Sequence, residues 1–137
     1  MNMMIIDDHS GIRSLIRQLI AAPGDEVCEC ASGNEAVEAA RTFRPDWVTV
    51  DVRMPGLDGF AAARALRAEH PTVRLAIVTA FDQPEFRRSA VDVGAVGYIM
   101  KDNLAELRSV LAGGTGAAGQ RNITTTASGR VAGREEG

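Results

Sequence analysis

The sequence predicts an α/β fold, a doubly wound five-stranded parallel sheet with helices on both faces. Three observations lead to this fold class. Short apolar runs alternate five times with longer segments of helical periodicity, and the connections between them are short. The apolar runs are nearly continuous, as in strands that are covered on both faces. Five βα units are too few for an eight-stranded barrel, so the sheet should be open.

The elements follow in order from apolar spacing and turn residues. The predicted strands are 3–6, 27–31, 47–50, 73–78 and 96–100. The predicted helices are 12–20, 33–43, 60–68, 84–93 and 103–111. Pro23 and Gly24 end the first helix, and Ser32 precedes the second, which should end before Pro45.

Capping residues delimit the last two helices. Pro84 suits the first turn of a helix, and Gly94 suits a C-terminal end. Asp102 or Asn103 is expected to cap the last helix.

Composition indicates one ordinary domain. The chain has 137 residues, of which 45% are hydrophobic and 24% charged, and its net charge is −3. This balance excludes a disordered chain and argues against a general nucleic-acid footprint. No apolar run approaches the roughly 20 residues of a membrane span. We therefore expect a cytoplasmic protein without direct contact to membrane or nucleic acid.

The composition changes near residue 112. Residues 113–137 hold seven of the fourteen glycines and a Thr-Thr-Thr run, with almost no large apolar side chains. We therefore divide the chain into a globular domain, 1–112, and a flexible Gly/Thr/Ala-rich tail, 113–137.

Two residue counts stand out. Cys28 and Cys30 are two apart on a predicted strand and so share a face. Since a second cysteine pair for zinc is lacking, we interpret them as buried packing residues. Of the 15 basic residues, 14 are arginine and only Lys101 is lysine, a bias that by itself indicates compositional drift.

The candidate site is read from the carboxyl ends of the strands, where open parallel sheets bind ligands. These ends carry Asp7 and Asp8 after the first strand, Asp51 after the third, Thr79 and Ala80 after the fourth, and Lys101 after the fifth. The second strand ends without a reactive group; if it lies at an edge of the sheet, the other four strand ends meet at one crevice. Three carboxylates, a hydroxyl and an ammonium should therefore surround one crevice.

This combination predicts a phosphoryl site with a divalent cation. Three carboxylates in one cleft repel one another unless a cation lies among them, and Mg²⁺ suits oxygen ligands beside a phosphate. Asp51 would then be a nucleophile toward phosphorus, with Lys101 supplying charge and Thr79 a hydroxyl. Ala80 is small enough to leave the phosphate room. Each residue alone has an ordinary reading, as a helix-start carboxylate, a strand end or a surface charge.

The motifs resemble those of the receiver domain of two-component response regulators, over about residues 3–111 and most closely the NarL/FixJ type. They are Asp-Asp-His at 7–9, Asp-x-x-Met-Pro-Gly-Leu-Asp-Gly at 51–59, Thr-Ala at 79–80 and Gly-Ala-x-Gly-Tyr-x-x-Lys at 94–101. The resemblance implies the flavodoxin-like strand order 2-1-3-4-5. It also implies a signalling domain rather than an enzyme, one that assists its own phosphotransfer and dephosphorylation.

The resemblance implies a role for each site residue. Asp51 would be the phosphoacceptor, forming an aspartyl phosphate. Asp8 and Asp51 would ligate Mg²⁺ directly, Asp7 through water or weakly, and Arg53 through its backbone carbonyl.

The same resemblance assigns the switch. Lys101 would pair with the acyl phosphate and Thr79 would swing toward it, next to Ala80. Tyr98 would move between outward and inward rotamers. The loop beside the site would be shaped by Pro55 and Gly59.

The implied partners are a histidine kinase or phosphotransfer protein, and a homodimer could form through the fourth helix, fifth strand and fifth helix. Receivers of this type usually continue into a DNA-binding domain, yet only 25 residues follow position 112. We therefore expect either a stand-alone receiver or one whose output half is missing, and no direct DNA binding.

Two alternatives remain open. A scaffold-type receiver would act by protein contacts without phosphorylation. A phosphatase of the haloacid-dehalogenase type also combines Asp, Thr, Lys and Mg²⁺, but it would carry Asp-x-Asp on the first strand, and Asp51-Val-Arg53 lacks the second Asp.

A separate hypothesis concerns phosphate lifetime. Arg53 and Phe81 each lie two residues beyond a key site residue. We expect them to shield the acyl phosphate partly from water.

Overall fold

The structure, a computed structural model, describes residues 1–54 and 56–113. The strands are β1 (Asn2–Ile6), β2 (Glu26–Cys30), β3 (Trp47–Asp51), β4 (Arg74–Thr79) and β5 (Gly97–Met100). The helices are α1 (Ser10–Ile20), α2 (Gly33–Phe43), α3 (Gly59–Glu69), α4 (Pro84–Asp92) and α5 (Glu106–Leu111). All strand pairs are parallel, in the order β2-β1-β3-β4-β5. The predicted fold class and strand order are confirmed.

Two hydrophobic cores cover the two faces of this sheet. Because strand side chains alternate, Met4 and Ile6 of β1 pack in the core that includes α2, α3 and α4. Met3 and Ile5 pack in the other core, against α1 and α5. β1, β3 and β4 therefore read as nearly continuous apolar runs, since both of their faces are buried, whereas the edge strand β2 is only partly covered.

The sheet order brings the polar strand ends together. β2, the strand that ends without a reactive group, lies at an edge, so the other four strand ends are adjacent. β3 ends at Asp51 and β4 at Thr79, while Asp7 directly follows β1 and Lys101 directly follows β5. No helix in the described part of the chain is long and apolar enough to cross a membrane.

The last helix begins later than expected. Asp102 and Asn103 do not cap it; instead Lys101–Asn103 forms a 3₁₀ turn, and α5 starts at Glu106 with no side-chain cap. Leu104, just after the turn, is buried and accepts a hydrogen bond from the Leu107 amide at 3.0 Å. Packing Leu104 into the core thus takes precedence over the local capping preference.

The second strand is displaced by one residue from its predicted range, because Ala31 leaves the sheet. Its amide donates to Glu35 Oε1 at 2.8 Å, while the Glu35 amide donates to Ser32 Oγ at 3.1 Å. These paired contacts satisfy donors at the start of α2.

The cysteines on β2 are free, and their Sγ atoms are 3.9 Å apart. Cys30 is buried as predicted, whereas Cys28 is only half-buried. Burial, with a smaller effect of Cys28, raises the pKa of Cys30 to about 12. A thiol of that pKa stays protonated at neutral pH and acts as a packing group.

Two expectations lie outside the described residues. They are the loop-shaping role of Pro55 and the predicted flexible tail from residue 114 onward.

Gly59 joins the start of α3 closely to the end of β3. Its amide donates to the Val52 carbonyl at 3.0 Å. A Cβ at this position would collide with the backbone carbonyl oxygen of Asp51 and lie 2.8 Å from Val52 Cα. Both obstacles are backbone atoms, so neither can rotate away. The absence of a side chain at Gly59 is therefore what allows this close approach beside Asp51.

We predict that Gly59→Ala destabilises the protein by about 1–3 kcal/mol, the usual range for overpacking. The matched control is Gly11→Ala in α1, where an added Cβ meets no atom within 4 Å. That control should be neutral or stabilising by up to about 1 kcal/mol, because alanine favours helices. Urea unfolding, followed by fluorescence of the buried Trp47, measures both. Equal stability of the two variants would contradict this account of Gly59.

Candidate functional site

Three carboxylates cluster at the carboxyl edge of the sheet. One carboxylate oxygen from each of Asp7, Asp8 and Asp51 lies within 4.8 Å of the other two. Asp7 and Asp51 are only 1% and 4% exposed, whereas Asp8 is open to solvent. The structure thus brings together the three acidic residues that the sequence singled out.

Lys101 provides the positive charge that faces this cluster. Its Nζ atom lies 2.9 Å from Asp7 Oδ2 and 3.4 Å from Asp51 Oδ2. Since β4 lies between β5 and β3, the lysine side chain extends past the end of β4 to reach both carboxylates. Ala80 follows β4 and lines a cavity above this cluster, where its small side chain leaves room for a bound group.

Burial and neighbouring charges shift the pKa values of Asp51 and Lys101. Burial, reinforced by the nearby Asp7 carboxylate, raises the pKa of Asp51, and Lys101 and the Arg53 backbone amide oppose that rise. Burial alone would lower the pKa of Lys101, but the contacts with Asp7 and Asp51 outweigh it, so this pKa is raised. The ammonium therefore stays charged at neutral pH and stabilises ionised carboxylates beside it.

An open cavity of about 250 Å³ lies above the cluster. Asp8, Asp51, Ala80 and Lys101 line it. Two further lining residues, Arg53 and Phe81, contact each other: the guanidinium carbon lies 4.7 Å from the ring centroid. This stacked pair joins the loop after β3 to the loop after β4.

Thr79 lies beside the site, but it is not among the residues that line the cavity. It is fully buried, and its Oγ1 accepts a hydrogen bond from the Phe81 amide at 3.1 Å. In this state the hydroxyl therefore holds the loop after β4.

Tyr98 contacts the same loop from β5. It is 3% exposed, and its hydroxyl donates to the Phe81 carbonyl oxygen at 2.5 Å. Arg87 stacks over the ring at 4.5 Å and pairs with Asp82 at 2.7 Å. Burial raises the pKa of Tyr98 to about 12, so the hydroxyl remains a donor. The ring is therefore buried against the loop after β4 in this structure.

Sequence reasoning missed Arg13 of α1. Its Nη1 donates to the Asp7 carbonyl oxygen at 2.6 Å, and its Nε pairs with Glu29 of β2 at 3.0 Å. The sequence does contain an indication of this contact: Arg13 lies in the first turn of the helix that follows Asp7 and Asp8. Helical side chains lean toward the N-terminus, so its guanidinium can reach back to that pair. Arg17, one turn further, carries the same signal less directly.

The acidic cluster is chemically suited to a hard cation. Its donors are carboxylate oxygens, the ligands that Mg²⁺ prefers. Asp7 Oδ2 is buried, and apart from its ion pair with Lys101 it has no hydrogen-bond partner among the described residues. Asp7, Asp8 and Asp51 therefore fit a metal centre. Arg53 lies at the cavity wall, where its backbone carbonyl is the fourth expected ligand.

Comparison with known proteins identifies the family. The family described as "Response regulator receiver domain" matches residues 3–112. Response regulator GacA of Pseudomonas viridiflava is 36% identical over 107 residues, which are 76% of this chain and 50% of that protein. The chain thus spans about half the length of this curated relative.

Solved structures agree with this assignment. A LuxR-family response regulator from Aurantimonas sp. SI85-9A1 is 34% identical, with a TM-score of 0.74 and 81% of each chain covered. Vibrio cholerae chemotaxis protein CheY4 is 29% identical, with a TM-score of 0.73, covering 81% of this chain and 95% of its own. On the matched motifs, the sheet order and these relatives, the chain belongs to the response regulator receiver domain family.

Proposed function

We propose that Asp51 accepts a phosphoryl group from the phosphohistidine of a histidine kinase or phosphotransfer protein, in a Mg²⁺-dependent reaction. The observation that carries the proposal is the placement of Asp51. It is a buried carboxylate at a cavity, 3.4 Å from the Lys101 ammonium and within 4.8 Å of two further carboxylates. A cation held by Asp7, Asp8, Asp51 and the Arg53 carbonyl would neutralise charge on the carboxylates and the incoming phosphoryl oxygens.

The transfer is a displacement at phosphorus. A carboxylate oxygen of Asp51 forms the new O–P bond while the P–N bond to the donor imidazole breaks, and the leaving nitrogen keeps the electron pair. The ammonium of Lys101 stabilises negative charge on the phosphoryl oxygens. Ala80 leaves the volume that the group requires.

Phosphorylation would then redirect contacts already in place. The new group adds about −1.5 to −2 charge and strong acceptor oxygens. Thr79 would exchange its contact with the Phe81 amide for a phosphate oxygen. The Tyr98 hydroxyl donates to the Phe81 carbonyl oxygen in the same loop after β4. Release of the Phe81 amide would therefore change the position of that loop and its contact with Tyr98 on β5. The protein would respond by a shift between two populations.

The partner surfaces follow from this switch. We propose that α4, β5 and α5 form the face that meets a downstream partner or a second copy of the chain, since Arg87 and Tyr98 connect it to the site. Direct nucleic-acid binding is not part of the proposal.

The alternatives receive less support. The phosphatase hypothesis requires a different first strand and has no support from the family. A scaffold-type receiver does not require a complete site, whereas this chain keeps Asp7, Asp8, Asp51, Thr79 and Lys101.

We predict that the protein, incubated with a small-molecule phosphodonor and Mg²⁺, gains the mass of one base-labile phosphoryl group. Asp51→Asn should abolish the gain, because an amide is a poor nucleophile. Asp92→Asn makes the same change at an exposed site of α4 and should behave as wild type. Intact-mass spectrometry measures all three. Failure of the wild type to gain mass in excess Mg²⁺ would favour the scaffold alternative.

We predict that Lys101→Arg folds and accepts phosphate but uncouples Tyr98. The planar guanidinium does not reproduce a compact ammonium between two carboxylates. Tyr98 is the only tyrosine, so NMR of tyrosine-labelled protein reports its ring alone. Phosphorylation should shift the Tyr98 signal in wild type and leave it nearly unchanged in the variant. The same shift in both proteins would contradict a specific role of the lysine.

We predict that Arg53→Asn and Phe81→Ala each accelerate loss of the phosphoryl group. Their stacked contact is worth about 0.5–1 kcal/mol, and if its loss lowers the barrier to hydrolysis by that amount, decay becomes about two- to fivefold faster. Arg53→Lys keeps the charge but loses planar stacking, and should lie between. The decay rate is measured by intact mass over time. Unchanged decay in both Arg53→Asn and Phe81→Ala would contradict shielding.

A further inference from the structure

The turn that carries Asp7 and Asp8 is held by α1. We infer that Arg13 is a positioning residue of the metal site, fixing the Asp7–Asp8 peptide so that the Asp8 carboxylate faces Asp51. The inference rests on the proposed function, because it concerns the ligands of the proposed cation.

Each polar backbone group of Asp7 has a partner. Its amide donates to the Cys30 carbonyl of β2 at 3.1 Å, and its carbonyl accepts from Arg13 Nη1 at 2.6 Å. One oxygen of its side chain accepts from the His9 amide at 2.9 Å. Asp7 is thus fixed from β2, from α1 and from its own turn.

The carbonyl contact has a direct consequence for Asp8. The Asp7 carbonyl and the Asp8 amide belong to one rigid peptide plane, so fixing the oxygen fixes the direction in which the chain enters Asp8. Asp8 is exposed to solvent, so burial constrains its side chain little. The charged hydrogen bond from Arg13, a stronger class than neutral ones, therefore fixes the point from which the Asp8 side chain extends toward the cluster.

Arg13 is itself held in place. Glu29 on β2 pairs with Arg13 Nε through Oε1 at 3.0 Å and with Arg17 Nε through Oε2 at 2.9 Å. The Arg13 side chain is 16% exposed, while that of Arg17 is 48% exposed. The two arginines share one carboxylate, and among the described contacts only Arg13 extends to Asp7. Arg17 is therefore a control of the same residue type, helix and ion-pair partner.

Electrostatics and positioning predict opposite signs for the loss of Arg13. If its charge alone mattered, removal would reduce repulsion and tighten binding of a divalent cation. If it positions Asp8, removal weakens binding. Mg²⁺ requires near-ideal octahedral geometry and Ca²⁺ tolerates irregular sites, so Mg²⁺ should suffer more.

The test is calorimetric titration of Mg²⁺ and Ca²⁺ into the full chain, with urea unfolding of each variant in the absence of metal. Arg13→Ala should bind Mg²⁺ about tenfold more weakly, the usual effect of losing a residue that orients a ligand. Its Ca²⁺ affinity should fall less. Arg17→Ala should bind both ions as wild type does. Arg13→Lys keeps the charge without the two-sided fork, so its Mg²⁺ affinity should also fall; this variant decides the matter if Arg13→Ala does not fold.

Each other outcome overturns the inference. Equal or tighter Mg²⁺ binding by the Arg13 variant would leave the proposed function intact and remove the positioning role. An equal loss in Arg17→Ala would assign the effect to Glu29 instead. If the wild type itself binds no Mg²⁺, the metal dependence of the proposed function fails, and the inference with it.

Discussion

The ion pairs of Lys101 with Asp7 and Asp51 are the interaction on which the site depends. The parallel sheet brings two buried carboxylates and a third, exposed one to the same edge, where they repel one another. An ammonium at 2.9 and 3.4 Å offsets much of that repulsion without closing the cavity above it. The protein can therefore fold with three carboxylates at one place, the arrangement that the proposed cation would bind.

Lysine and arginine make different kinds of contact around this site. Lys101, the single lysine, acts as a compact charge between two carboxylates. Arginines make the planar contacts instead: Arg53 stacks on Phe81, Arg87 stacks on Tyr98, and Arg13 forks between a carboxylate and a carbonyl. The bias toward arginine carries no function of its own, and Lys101 is the one basic residue of the sequence whose charge is compact rather than planar.

Sequence patterns predicted what depends on periodicity and chain order. Alternating apolar runs defined the strands, and the residues that follow them placed Asp7, Asp51 and Lys101 at one edge. What depends on three-dimensional packing was not predictable in this way. The 3₁₀ turn after β5 follows from burial of Leu104, and the contact between Arg13 and Asp7 follows from how α1 lies on the sheet. The residue types at these positions permit several arrangements, and only the packed structure selects one.

Of the three clustered carboxylates, we propose that Asp51 receives the phosphoryl group. The most direct measurement is borohydride reduction of the phosphorylated protein, which converts an aspartyl phosphate to homoserine, followed by peptide sequencing with tandem mass spectrometry. We expect homoserine at position 51 alone, because Asp51 is buried at the cavity and lies beside Lys101. Homoserine at position 7 or 8, or at none of the three, would contradict it.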